Sequence, residues 1–455
     1  YGGANKASKK KLLLIDEVDV FFGENFYGQS YWPIESLATA ASKELVKYVY
    51  DNREYLSNNQ STVDTIMSLS VVTNLCRDYK NIRGVLPAVV KQMLSDLQDF
   101  PPGPGMNKHV KLCYLRDGNI GYKDLDTGAI NYNSIRGYKT AFAYHYYREQ
   151  GKISNTEASN FSHQGIMLRV GGILYSELPN FSDLLLGLTG SLSCLSGNDN
   201  KILNSYNFSQ KSFIPSTFLK QELNRFNSQV IDGSLDTYCA ELRRQVKDHV
   251  ESNSRTVFII FETNTRLEIF HDTLKRNPIP GSFAELLHED LTDSQRNGVI
   301  SRSVGRKVIT LMTRSFGRGT DFVVNNPEVA SSGGVHVVST FFPATKSEQV
   351  QIEGRTCRQS KQGSFQMILH AKDLIDAKLI EKGGSIYTAD KTIMNQTGSW
   401  EFLQSRREKL DEERAASIKL NLDFNRKHHD NTLTMVDAMK SGNNQQAFEI
   451  LKGFQ

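Results

Sequence analysis

Between Thr256 and His370 the chain repeatedly sets a short β-branched and aromatic run beside a helical pattern. Thr256 to Phe261, Val308 to Met312, Val335 to Thr340 and Gln366 to His370 are short and almost uniformly apolar. Runs of that kind bounded by turn residues read as strands buried on both faces. Leu267, Phe270 and Leu274 mark a helix after the first run. Leu235, Tyr238, Leu242, Val246 and Val250 mark one before it, with Ser234 as its N-cap. Thr345 and Glu348 form a capping-box pattern that opens a further helix. Strands separated by helices are joined by crossovers and not by hairpins, so this stretch dictates an α/β fold with a parallel sheet covered by helices on both faces.

Upstream, Leu12-Leu13-Leu14-Ile15 reads as another buried parallel strand, running into Asp16-Glu17-Val18-Asp19. Leu184 to Leu188 reads the same way and ends in Thr189-Gly190. The pattern is mostly helical to about Phe100, where Pro101-Pro102-Gly103-Pro104-Gly105 breaks it. Residues 110 to 133 alternate apolar and polar around Asp117-Gly118 and Thr127-Gly128, the mark of short strands and turns. The Asn/Ser-rich segment Ser196 to Ser209 reads as an exposed loop, and Ser399 to Asn431 as a long charged helix.

A length of 455 residues allows two or three domains. A net charge of +4 gives little support to a dedicated nucleic-acid or anionic-membrane binder. No apolar run approaches the roughly 18 residues of a membrane span. Five scattered cysteines without metal spacing point to a reducing compartment. The chain opens on Tyr1, without a signal sequence, and reads as a piece of a longer protein.

Three constellations carry chemistry. Asp16-Glu17 at the end of a strand suits metal-assisted phosphoryl transfer, one carboxylate holding Mg²⁺ and the next activating water; acids that merely cap the following helix would look the same. Gly317-Arg318-Gly319-Thr320-Asp321 allows close approach of backbone to a ligand, with Asp321 able to accept from a ribose hydroxyl; a tight turn with a surface ion pair is the bland alternative. Arg355 and Arg358, three apart on a helix capped near Thr345, suit the charge on a transferring phosphate, or else form a solvated basic face. His428-His429 reads as a solvated pair and not a metal site. A phosphate-cradling G-x-x-x-x-G-K-[ST] loop does not occur in the 455 residues.

In order and spacing these pieces resemble SecA, the motor ATPase of bacterial and plastid protein export. Asp16 to Asp19 is similar to its Walker B sequence, and Gly187-Leu188-Thr189-Gly190-Ser191 to its GMTGT motif. Thr313 to Asp321 resembles TNMAGRGTD, Gly333-Gly334-Val335-His336-Val337 resembles GGLHVI, and Gln351 to Ser364 resembles QLRGRAGRQGDPGSS. Asp117-Gly118 to Asp126-Thr127-Gly128 and Asp423 to Lys427 fit further family stretches. The likeness covers residues 10 to 25 and 110 to 370. Departures are Val20-Phe21-Phe22-Gly23 directly after the acids, Cys357 in place of a glycine between the arginines, and Ser360-Lys361-Gln362 in place of GDP.

The resemblance implies two RecA-like parallel-sheet lobes, with a helical insertion in the first and a long C-terminal helix. Residues 1–23 would be a remnant of the first nucleotide-binding lobe, 24–108 the insertion, and 109–215 the rest of that lobe with a strand-rich connection. Residues 216–395 would be the second lobe and 396–455 a helical tail. It implies ATP and Mg²⁺, with Asp16 on the metal, Glu17 as general base, and Arg355 and Arg358 as arginine fingers. Gly317, Arg318, Gly319, Asp321 and Thr189 would contact nucleotide. A polypeptide client, a peripheral membrane or translocon partner and a cytoplasmic location are implied likewise. A longer form supplying the missing loop would be the active ATP hydrolase, and this segment alone a poor one. Two alternatives stand beside this reading: a non-catalytic scaffold that kept the motor fold, and a nucleic-acid helicase of the same superfamily. The near-neutral charge and the form of the last motif argue against the helicase.

Overall fold

Every residue of Val257–Phe261 is buried, with Phe258 and Ile260 on one side of the sheet and Val257, Ile259 and Phe261 on the other. A β-rich run with no polar member can lie only at the centre of a two-faced sheet. In the computed structural model that sheet has seven strands, and its registered pairs are parallel throughout. The structure describes residues 10–23, 26–102, 113–116, 118–123, 130–132, 134–154, 165–206, 208, 210–215, 222–358, 361–384 and 396–455. Asp117, Asp126, Thr127 and Gly128, and Gln359 and Ser360, lie outside them.

The described chain divides into two units. The first comprises residues 1–23, 125–129 and 182–417, the second residues 24–124, 130–181 and 418–455. In the first, we number the strands β1 (Leu12–Ile15), β2 (Leu184–Gly187), β3 (Glu222–Arg225), β4 (Gln229–Ile231), β5 (Val257–Phe261), β6 (Phe283–Leu287), β7 (Val308–Thr313), β8 (Val335–Ser339) and β9 (Gln362–His370). The seven-stranded sheet runs β3-β9-β8-β5-β7-β6, with β4 also paired to β9. Helices Leu235–Lys247 and Asn264–Arg276 bury Leu242, Val246, Leu267 and Phe270 on one face, while Ile352, Phe322 and Leu374 pack on the other. Val250 is still buried because a π-helical turn, Asp248–Ser252, prolongs the first helix.

The N-caps form as the sequence dictates. Ser234 accepts from the Thr237 N–H, and Thr345 from the Glu348 N–H. The Glu348 carboxylate does not return to Thr345 but accepts from the Ala344 N–H and from Arg314.

Strands β1 and β2 form a separate parallel pair, Leu12 beside Leu184 through Ile15 beside Gly187. Here the structure corrects an expectation, since neither strand is buried. Leu12, Leu14, Leu184, Leu186 and Leu188 are 46–60% exposed, because a pair of strands without a covering layer leaves one face open. A second correction concerns Ser196 to Ser209. Ser196 and Asp199 make a reciprocal capping box, and Gly197–Ser205 is a helix.

In the second unit, helices Ala40–Asp51, Gln60–Met67, Ser70–Asp78, Leu86–Leu97 and Gly137–Glu149 surround a core of Leu45, Val49, Tyr50, Leu86, Met93 and Phe142. Cys113–Arg116, Asn119–Lys123 and Ile130–Asn131 form a three-stranded antiparallel sheet. The long helix spans Gln396–Lys440, and its residues from 418 onward belong to this unit. His428 and His429 are packed and not solvated: His428 meets the Trp32 ring edge-on at 5.0 Å, and His429 Nδ1 accepts from the Leu174 N–H at 3.4 Å. Among the described residues no helix is long and apolar enough to cross a membrane.

Candidate active site

Strand β1 ends at Ile15 and the backbone turns sharply. Glu17 adopts φ 51°, ψ 53°, a left-handed conformation rare for a residue with a Cβ, and caps the short helix Val18–Phe21. The Val18 N–H donates to the Leu188 carbonyl at 2.9 Å, tying this acidic turn to the loop that follows β2. The turn gives three carboxylates different surroundings. Asp16 is exposed and accepts the Glu17 N–H at 3.0 Å. The Glu17 side chain is 35% exposed, and that of Asp19 only 3%.

Asp19 is the hub. Thr189 Oγ1 donates to its Oδ1 at 2.7 Å, Ser191 Oγ to its Oδ2 at 3.1 Å, and Ser347 Oγ to the same Oδ2. Arg318 Nη2 reaches Asp19 Oδ2 at 2.7 Å and Glu17 Oε2 at 2.7 Å, so one guanidinium joins two acids. Gln351 Nε2 also points to Glu17 Oε2, at 3.4 Å. Ser191 and Ser347 hydrogen-bond each other at 2.7 Å. Burial alone would raise the Asp19 pKa, but the hydrogen bonds from Ser347, Arg318 and Thr189 outweigh it and hold the group below the ordinary carboxylate value. For Arg318, burial opposes the charge and the bonds to Asp19 and Glu17 overcome it, so its pKa is raised. Its Nε is buried and has no hydrogen-bond partner among the described residues.

The glycines around Arg318 differ in role. Gly317 is packed, and a Cβ there would stand 3.0 Å from Ile352. Gly319 has φ +72° with open space around it. Arg355 is buried, its pKa pushed down to about 10 by that burial; its guanidinium donates to the Thr320 carbonyl and, at 3.2 Å, to the Gln351 carbonyl. Arg358 forms an ion pair with Asp321, whose side chain is 69% exposed. The two arginines do not share a helix face, contrary to their spacing. The helix Lys346–Glu353 ends at Gly354, and Cys357 is left-handed at φ 56°, which turns the chain between them. The Cys357 Sγ is directed to the Glu222 carbonyl at 3.3 Å.

The structure thus brings Glu17, Arg318 and Thr189 into one network, with Asp16 on its exposed flank. Arg355 braces the Thr320 backbone, and Arg358 and Asp321 pair with each other. Asp19, Ser191, Ser347 and Gln351 are the functional candidates that spacing alone does not single out. Asp19 belongs to the acidic quartet, yet nothing in the sequence ranks it above Asp16. Among the described residues no group of three or more His, Cys, Asp or Glu could hold a metal on protein ligands alone. The exposed Asp16 carboxylate does fit a Mg²⁺ ion that keeps its waters and needs one carboxylate besides phosphate oxygens.

No family model matches the chain. It is similar to protein translocase subunit SecA of Sulfurimonas denitrificans, 24% identical over 247 residues, which are 54% of this chain and 27% of that protein. It is also similar to protein translocase subunit SecA 3 of Magnetococcus marinus, 34% identical over 88 residues, 19% of this chain and 13% of that protein. Less than a third of either relative's length is therefore matched. Among solved structures, S. cerevisiae Dbp5 bound to RNA and ADP BeF3 aligns with 54% of this chain and 56% of its own, at 14% identity and TM-score 0.33. Domain 2 of the DEAD-box helicase Mss116p bound to an RNA duplex aligns with 44% and 75%, at 15% identity and TM-score 0.27. Over part of its length the chain is thus similar, at low identity, to SecA proteins.

Proposed function

We propose that the chain is the hydrolytic core of a SecA-like ATPase that couples nucleotide turnover to movement or targeting of a polypeptide, in the cytoplasm or at a membrane surface. The observation that carries this reading is the Arg318 guanidinium, held between Glu17 and Asp19 while its buried Nε has no hydrogen-bond partner among the described residues. In this arrangement the base is occupied. An anionic phosphate competes with Glu17 for Arg318, and its arrival releases the Glu17 carboxylate to take a proton from the attacking water. Arg318 then balances charge on the transferring group, a role that fits its position better than those of Arg355 and Arg358. Arg355 acts as a positioning residue by fixing the Thr320 backbone beside the loop. Asp16 would hold Mg²⁺, which when bound neutralises phosphate charge. Asp19, fixed by Thr189, Ser191 and Ser347, holds Arg318 in register and carries a change at the nucleotide into both the loop after β2 and the helix Lys346–Glu353.

The experiment is steady-state ATP hydrolysis by the full-length protein. Glu17→Gln should lower kcat at least ~100-fold while nucleotide binding persists. Turnover that Glu17→Gln leaves intact refutes the reading. The scaffold alternative is favoured by the occupied state of Glu17, and nucleotide binding without turnover in the unmodified protein would select it.

A further inference from the structure

Open α/β sheets bind ligands in the crevice outside the carboxyl ends of their strands. In the first unit a cleft of about 290 Å³ lies there. Glu262 and Thr263 follow β5, Thr340 and Phe341 follow β8, and Asp373 and Asp376 come from the helix after β9. It shares no residue with the Asp19 network.

The charge of this cleft is one-sided. Its lining cation, Arg266, is already ion-paired with Asp373. Among the described residues the carboxylate of Asp376 pairs with an exposed partner one turn back on its own helix, Lys372, a pair that contributes little. Glu262 is left weakest. Among the described residues its ion-pair partner is Arg314, whose Nη1 stands 3.9 Å away, and that guanidinium is committed through Nε and Nη2 to Glu348 at 2.5 and 2.9 Å. Burial beside these acids raises the Glu262 pKa. A phosphodiester entering here meets carboxylates where it needs donors. An ammonium or guanidinium meets an under-compensated acid, with Ala377 beside its methylene stem.

We propose that this cleft takes a lysine or arginine side chain of an extended polypeptide, with Glu262 and Asp376 as its charge partners. The inference rests on the polypeptide reading of the client, but its test needs no nucleotide, so its failure leaves the ATP reading standing. The test is fluorescence anisotropy of the full-length protein with a labelled Gly-Ser-Lys repeat peptide, its Gly-Ser-Gln counterpart and a labelled oligo-U RNA. The lysine peptide should bind more tightly than the other two, with an affinity that falls as salt rises. Glu262→Gln with Asp376→Asn should weaken it about tenfold and leave the glutamine peptide unaffected. Glu262→Lys, checked for an unchanged melting transition, should abolish the preference. Equal binding of the two peptides, no weakening in the double variant, or a preference for the RNA would each overturn the proposal.

Discussion

A carboxylate whose side chain is 3% exposed persists as a charge only where donors replace water, and Asp19 has one guanidinium and three hydroxyls around it. Asp19→Ala would leave Arg318 half-paired and three hydroxyls without their acceptor. A loss of about 3 kcal/mol in urea unfolding is expected. The folded-state pKa of Asp19 is depressed, so its contribution is fully present above the unfolded value of about 4 and is lost as pH falls through the lower folded value. Histidines act in the same direction over a higher range. His145 is buried with neither ring nitrogen partnered among the described residues, and burial pushes its pKa down to about 4. His249 and His336 stack at 3.7 Å beside Arg255, and burial lowers both, His249 to about 4. The unfolded chain takes up protons that the folded one refuses, so stability should drop as pH falls from 6.5 towards 4, by about 1.4 kcal/mol per pH unit for each such proton. His145→Phe should flatten that slope in pH-dependent unfolding. The acidic quartet was legible in the sequence, but the standing of Asp19 was not. Its partners Thr189, Ser191 and Ser347 are 170, 172 and 328 residues away, and only the fold supplies them.

At the scale of elements, the glycine doublet before β8 has a steric cause. Gly333 and Gly334 have φ +88° and +73°, and a Cβ on Gly334 would stand 1.8 Å from the Gln362 carbonyl oxygen. Gly334→Ala should therefore cost upwards of about 3 kcal/mol or prevent folding. Gly319 is also left-handed, at φ +72°, but faces open space, so Gly319→Ala should cost only about 1–2 kcal/mol. Equal losses for the two in denaturant titrations would contradict this. Strands β5, β7, β8 and β9 and the helices Leu235–Lys247 and Asn264–Arg276 were legible because their apolar spacing agrees with their burial, whereas β6, with Phe283 72% exposed, and the polar helix Asp293–Ser303 were not. The helix Gly197–Ser205 was not, since its polar composition resembles a loop and only the Ser196–Asp199 box distinguishes it. Nor was the break between Arg355 and Arg358. A three-residue spacing reads as one helix face, and nothing local shows that Gly354 ends the helix and that Cys357 is left-handed.

For the whole molecule, the exposed leucines of β1 and β2 matter more than any single contact. The acidic turn follows a sheet of two strands; Val18 and Phe22 anchor it in a buried cluster with Leu203, while Arg318, Ser347 and Gln351 hold its acids. A turn whose acids are held by several charge-assisted bonds is suited to shift when one of those bonds is exchanged for a ligand. Hydrogen exchange should accordingly show residues 12–19 opening more readily than Val257–Phe261, and Arg318→Ala should widen the difference. The measurement that bears most directly on this site is single-turnover ATP hydrolysis by the full-length protein and its Arg318→Lys variant, with nucleotide affinity determined in parallel. Expected is a fall in the hydrolytic rate of ~100-fold or more with affinity changed less than about tenfold. An unaltered rate in Arg318→Lys would show that the guanidinium between Glu17 and Asp19 takes no part in the chemistry.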